Sequence, residues 1–260
     1  SLIVSSARRI SAPDNSQFTI NNGAGAWINN GIYNPGTGTS TVIFTSPDAT
    51  IAGSTNFNNI TINSGATLRP LTDNVMQIAG TFTLNGNFSS GAIENTVIYS
   101  GTNQTVVAPN TGLLAYHNLI INGTGAIFPS SLNITDNLTL NQSIDFTGKT
   151  IAMTGMEPQI ISGAVAPAFI NLIFNNTFVG VILATNAAVN GTLTLTSGIL
   201  DIGNYNLLLG ANAVSGSFSA SNMVVANGTG ELRRSYTGTG SYTFPIGDMT
   251  DTVEYSPITV

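Results

Sequence analysis

Along most of this chain, apolar and hydroxyl side chains alternate in short runs separated by Gly and Asn. In Gly191-Thr192-Leu193-Thr194-Leu195-Thr196 the two leucines point one way and the three threonines the other, which is the period-two signature of a half-buried strand. Threonine is β-branched, so it suits an outward strand position while offering water a hydroxyl. Corners such as Asn63-Ser64-Gly65, Asn122-Gly123-Thr124 and Thr196-Ser197-Gly198 supply residues that tolerate a turn. No window longer than about ten residues carries helical periodicity, so the chain is predicted to be all-β.

The strand patterns recur in order. TVIF at 41, TVIY at 96 and TIAM at 150 begin at intervals of 55 and 54. NITI at 59, NLII at 118 and NLIF at 171 are separated by 59 and 53, and GTFTL at 80, DNLTL at 136 and GTLTL at 191 by 56 and 55. Within one copy a strand group returns at intervals of 18 (from 41 to 59) and 21 (from 59 to 80). That interval suits one coil of a solenoid whose coils stack at about 4.8 Å. The expectation is a right-handed parallel β-helix (β-solenoid) of about 12–14 coils, on the order of 60 Å long. An antiparallel sandwich is the alternative, but it does not require ordered recurrence. Asn residues at equivalent corners are expected to bond their amides along the axis. The predicted organisation is an irregular N-terminal coil or cap at 1–40, three repeats of about 55 residues at 41–226, and a C-terminal cap or junction to a following β domain at 227–260.

Composition narrows the functional classes. Charged residues are 7% of the 260, against roughly 25% in ordinary domains, and the net charge is −6. Nucleic acid and anionic membrane are therefore not expected partners. Cysteine is absent, which removes disulfides, thiolate catalysis and Cys-type zinc sites. The apolar part of SLIVSSARRI is too short for a signal peptide, and no run approaches the ~18 apolar residues of a membrane span. The last residues, SPITV, read as a strand, so a processed product or a piece of a longer polypeptide is expected.

The segments NTVIYSGTNQTVV at 95, HNLIING at 117, DNLTL at 136 and GTLTLTSGILDIGNYNLLLG at 191 resemble the long β-strand-repeat surface proteins of Bacteroidota. Those proteins are commonly exported by the type IX secretion route and include gliding and attachment adhesins. The terminal GTGSYTFPIGD and YSPITV are similar to the segment that ends a repeat block in such proteins. The resemblance spans roughly residues 18 to 260. It implies an extracellular, cell-surface location, a very large parent chain and a role in attachment or as a stalk. Its implied partners are further domains of the same polypeptide, with surface glycans and other fibre subunits beside them. No type IX C-terminal sorting domain is recognisable in these residues, and the family supplies no catalytic residue to carry over.

The residues that carry chemistry elsewhere are sparse here. His117 is the single histidine, with no cysteine or second imidazole to complete a triad or metal site. Asp136 and Asp145 lie nine residues apart, and glycoside hydrolysis needs two carboxylates across a cleft. Lyases need a base as well, and between 41 and 226 the bases are Arg69 and Lys149. Asp248, Asp251 and Glu254 supply oxygens for calcium, but in a spacing that matches no EF-hand loop. Trp27 is expected to cap or fill the core, with sugar stacking as the sharper alternative. The threonines of 192–196, with Thr81, Thr83 and Thr139, suggest an ice-binding row, which Asn137 interrupts. Catalytic, cofactor and metal residues are accordingly expected to be none, and the chain is expected not to be an enzyme. The expected function is a structural or adhesive segment of a large surface protein. A carbohydrate-binding or polysaccharide-degrading β-helix and an ice-binding solenoid are the alternatives.

Overall fold

A computed structural model describes residues 1–212 and 214–260 and divides them into two units, Ser1–Pro129 and Ser130–Val260. Both are β-solenoids, all-β and without a helix among the described residues, and together they hold about 12 coils.

In the first unit each coil presents strands to parallel sheets. One sheet stacks Leu2–Val4, Trp27–Asn29, the start of Ala49–Phe57, Thr67–Pro70 and Asn87–Phe88. A second stacks the end of Ala49–Phe57 with Asn74–Ile78, Asn95–Tyr99 and Asn118–Ile121. A third stacks Gln17–Ile20, Thr41–Phe44, Asn59–Ile62 and Phe82–Leu84. Register makes these sheets into columns of like side chains, because parallel pairing places each inward residue over the inward residue one coil away. Phe57, Ile78, Tyr99 and Ile121 form one column, and Val42 and Ile60 stack in another, all of them buried.

The second unit repeats the principle. Leu132, Ile151, Leu172 and Leu193 form one buried column, and Ile134, Met153, Phe174 and Leu195 the next. A further sheet stacks Ala168–Phe169, Ala187–Val189, Leu207–Leu209 and Leu232–Arg234. Parallel order stops near the C-terminus. There Ile246–Asp248 pairs antiparallel with Glu254–Tyr255, and Thr243–Phe244 with Ile258–Thr259, so a folded-back hairpin lies along the edge strand.

The repeat interval of the sequence is not a whole number of coils. TVIF at 41 lies in the sheet of Phe82–Leu84, whereas TVIY at 96 lies in that of Asn74–Ile78. What recurs is a stack: TVIF, NITI and the FTL of GTFTL are vertical neighbours in the first unit, as are TIAM, NLIF and GTLTL in the second. Paired residues of adjacent coils are 18 apart at Thr41 and Asn59 but 25 apart at Leu2 and Trp27. Corner length therefore varies while strand register holds.

Phe88 is fully buried and meets Phe82 edge-on at 5.1 Å between ring centroids. Replacing it with Ala is expected to cost about 3–5 kcal/mol of unfolding free energy in urea titration. A loss below about 1 kcal/mol would mean that this part of the core is not tightly packed.

Candidate functional site

Trp27 is wholly buried. Its Nε1 donates to Thr55 Oγ1 at 3.0 Å, and its ring meets Tyr33 at 4.9 Å and Phe57 at 5.2 Å. It is a core residue and offers no face to a sugar. The tyrosines behave similarly in one place. Tyr99 and Tyr116 are fully buried with hydroxyls 2.9 Å apart; Tyr116 donates to the Val107 carbonyl at 2.6 Å, and the Val107 amide donates to Tyr99 at 3.2 Å. Burial pushes both phenols well above the ordinary tyrosine range.

The ionisable residues serve local turns. Asp136 and Asp145 stand on either side of the strand Leu138–Leu140. Asp145 accepts from the Thr147 amide at 2.9 Å, which lowers its pKa, and Lys149 adds a smaller pull. Arg69 pairs with Asp48. His117 is half-buried, with Nδ1 3.1 Å from the Asn118 side-chain nitrogen. Asp248 takes the Thr250 amide at 2.7 Å, which holds its carboxyl below the usual range, and it faces Glu254 across the terminal hairpin. Among the described residues no three His, Asp or Glu side chains converge on one point, Asp248, Asp251 and Glu254 included. Arg234 lies over the Tyr242 ring at 3.8 Å and donates to the Ala211 and Asn212 carbonyls.

The threonines do not line up as a lattice. Thr194 stands between Ile173 and Ser215, and Thr61 between Ile43 and Thr83. Thr139 lies beside Ser162, with their hydroxyls 3.0 Å apart.

The most specific chemistry is carried by buried carboxamides, whose role is not visible in local sequence. Gln104 Oε1 accepts from the Gly101 amide at 2.5 Å, and its Nε2 donates to the carbonyls of Ile78 at 3.0 Å and Gly80 at 2.5 Å, one coil earlier. Gln159 does the same in the second unit: Oε1 accepts from Gly155 at 2.9 Å, and Nε2 donates to Ile134 at 3.0 Å and Asp136 at 2.8 Å. Each glycine is obligatory by contact, since a Cβ would collide with the Ala79 carbonyl at Gly101 and with the Thr135 carbonyl at Gly155. What the two share in sequence is a hydroxyl-Gly corner, Ser100-Gly101 three residues before Gln104 and Thr154-Gly155 four residues before Gln159.

Corner asparagines also link coils, at these corners by accepting from backbone amides. Asn186 Oδ1 accepts from the Asn206 amide at 2.8 Å, and Asn206 Oδ1 in turn from the Glu231 amide at 3.0 Å. Asn59, Asn137 and Asn171 likewise accept from Thr81, Ile160 and Thr192. An Asn side chain placed this way reaches a backbone donor where a corner has no strand partner.

Surface relief is pronounced in the second unit, where a groove of about 540 Å³ runs between the loop 176–179 and the turn 217–222. Among the described residues no helix is long and apolar enough to cross a membrane. The residues thus define a β-solenoid whose buried polar groups join one coil to the next. Compared with known proteins, the chain matches no family model, no curated protein and no solved structure.

Two expectations follow. Gln104→Leu removes the partners of one amide and two carbonyls, and is expected to destabilise the first unit by roughly 2–4 kcal/mol in chemical unfolding; a change within about 0.5 kcal/mol, the scatter of surface substitutions, contradicts the role given to it. Alkaline titration followed by tyrosinate absorbance tests the phenol pair. The folded pKa values are raised, so the stability they confer is complete below the unfolded value of about 10 and is lost as pH rises above it. Tyr99 and Tyr116 should therefore ionise only together with unfolding, and reversible ionisation of all seven tyrosines in the folded chain would overturn this.

Proposed function

We propose that the chain is a structural and adhesive segment of a large bacterial cell-surface protein, a stalk, fibre or attachment repeat standing outside the cell, and not a catalyst. One observation carries this reading: the buried amides of Gln104 and Gln159 are occupied in holding one coil against the next. An arrangement that gives its best-placed polar groups to coil-to-coil bonding is suited to resisting extension. The low charge of the Thr- and Asn-rich surface supports the same reading, because contacts made without ions depend little on the salt of an external medium. So does the likeness of TVIYSGTNQTVV and HNLIING to the repeat proteins of bacterial surfaces. Further domains of the same polypeptide are the natural partners of such a segment.

Stretching the full chain between two handles in a force spectrometer tests it. Each coil touches mainly its neighbours, so coils are expected to peel away in turn. Release of one coil, about 18 to 25 residues, lengthens the chain by about 60–90 Å, at roughly 3.3–3.6 Å per residue, and a series of force peaks at that spacing is the expected record. Extension without resolvable peaks contradicts a mechanical role.

A further inference from the structure

The groove of the second unit is built differently from the rest of the solenoid surface. The strands Asn171–Leu183 and Leu193–Asp201 run in register to Phe174 and Leu195, lose it, and regain it at Gly180 and Ile199. Four residues, 176–179, are looped out opposite Gly198. Asn176, fully buried, pins this loop: its Nδ2 donates to the Glu157 carbonyl at 2.6 Å and to Gln159 Oε1 at 3.2 Å, and its Oδ1 accepts from the Phe178 and Gly180 amides, each at 3.1 Å. The outcome is Phe178 held out from the coil with 69% of its surface exposed. A pinned loop that presents a bare aromatic ring is a costly feature for a core to support, which points to a surface use.

Across the groove the turn 217–222 is pinned in the same manner. Asn222 donates to the carbonyls of Leu195 at 2.8 Å and Ser217 at 2.9 Å. It is only 5% exposed, lines the groove, and its Oδ1 is buried without a hydrogen-bond partner. Between the pins the walls carry the hydroxyls of Thr177, Thr196, Ser197, Ser217, Ser219 and Ser221, and none of the lining residues is ionisable. The volume is within the range of ligand sites, and the lining is largely hydroxyl, with Phe178, Ile199 and Val253 as its larger apolar part.

We propose that this groove binds a neutral saccharide, with the C–H face of a pyranose on Phe178 and ring hydroxyls on the Ser and Thr rim. The lack of charge in the lining disfavours uronic or sulfated sugars, whose anions would be desolvated there without a partner. This goes beyond the mechanical role proposed above, and either can fail without the other, since the force measurement does not probe the groove.

The test is a titration of the ¹⁵N-labelled full chain, followed by NMR, with cellohexaose, with laminarihexaose and with trigalacturonate as the charged control. One or both neutral oligosaccharides are expected to shift amides at 177–178, 196–199 and 217–222. Phe178→Ala, at an exposed site that should leave the remaining spectrum unchanged, is expected to weaken that binding by about tenfold or more. The double substitution Ser219→Ala, Ser221→Ala should weaken it by a smaller factor. The proposal is overturned if neither neutral oligosaccharide perturbs these amides at about 10 mM, a concentration that reveals even millimolar affinity. Shifts centred elsewhere, a stronger response to trigalacturonate, or unchanged binding after Phe178→Ala would overturn it equally.

Discussion

A solenoid coil has to turn corners, and at each corner the backbone leaves the strand register that would otherwise pair its amides and carbonyls. Those groups are buried against the next coil, where each unmet hydrogen bond costs on the order of 1–3 kcal/mol. In this protein backbone bonds between coils meet much of the need, and side-chain carboxamides meet it where the backbone does not. Gln104 and Gln159 each bridge a glycine amide of their own corner to two carbonyls of the coil before. Asn176 extends the second bridge into a third coil through Gln159 Oε1. An amide suits the task because it donates and accepts at once and stays neutral, so burying it avoids the desolvation cost of a charge.

The apolar columns depend on that bridging. Phe57, Ile78, Tyr99 and Ile121 stack because their strands keep one register, and a shift by one residue would turn the column outward. Corners of fixed hydrogen bonding set where each strand begins, whatever the number of residues looped between. Variable corner length then becomes a freedom of the fold: the 176–179 loop is such a variation, and Asn176 secures it without disturbing the Phe174 and Leu195 pair that precedes it.

Much of the fold is legible in the chain. Period-two alternation in GTLTLT marks a strand, and the ordered return of strand patterns marks parallel stacking over a sandwich. The interval at which those patterns return is misleading as a structural unit, because register depends on side chains that alternate alike on every face, and sequence alone does not say which face a strand joins. Trp27 reads from the sequence as a capping or core residue, and the structure places it in the core; the residues that bury it were not legible. Its burial is decided by Tyr33 and Phe57, contributed by the same coil and the next. The carboxamide bridges were illegible for a similar reason, since Gln104 and Gln159 look like ordinary turn residues until the carbonyls of the preceding coil are brought beneath them. Phe178 and Asn222 are distant in sequence, and their shared groove follows from coil stacking and from a register break that no motif announces.

If corner amides held by carboxamides govern the architecture, they open only when the coils themselves do. Native-state hydrogen exchange, resolved by residue, measures this directly. The amides of Gly101 and Gly155 should be protected to the same degree as strand amides such as Val97 and Ile151, although they belong to turns. Exchange at those two glycines at the rate of exposed loop amides, with the strands still protected, would contradict the account.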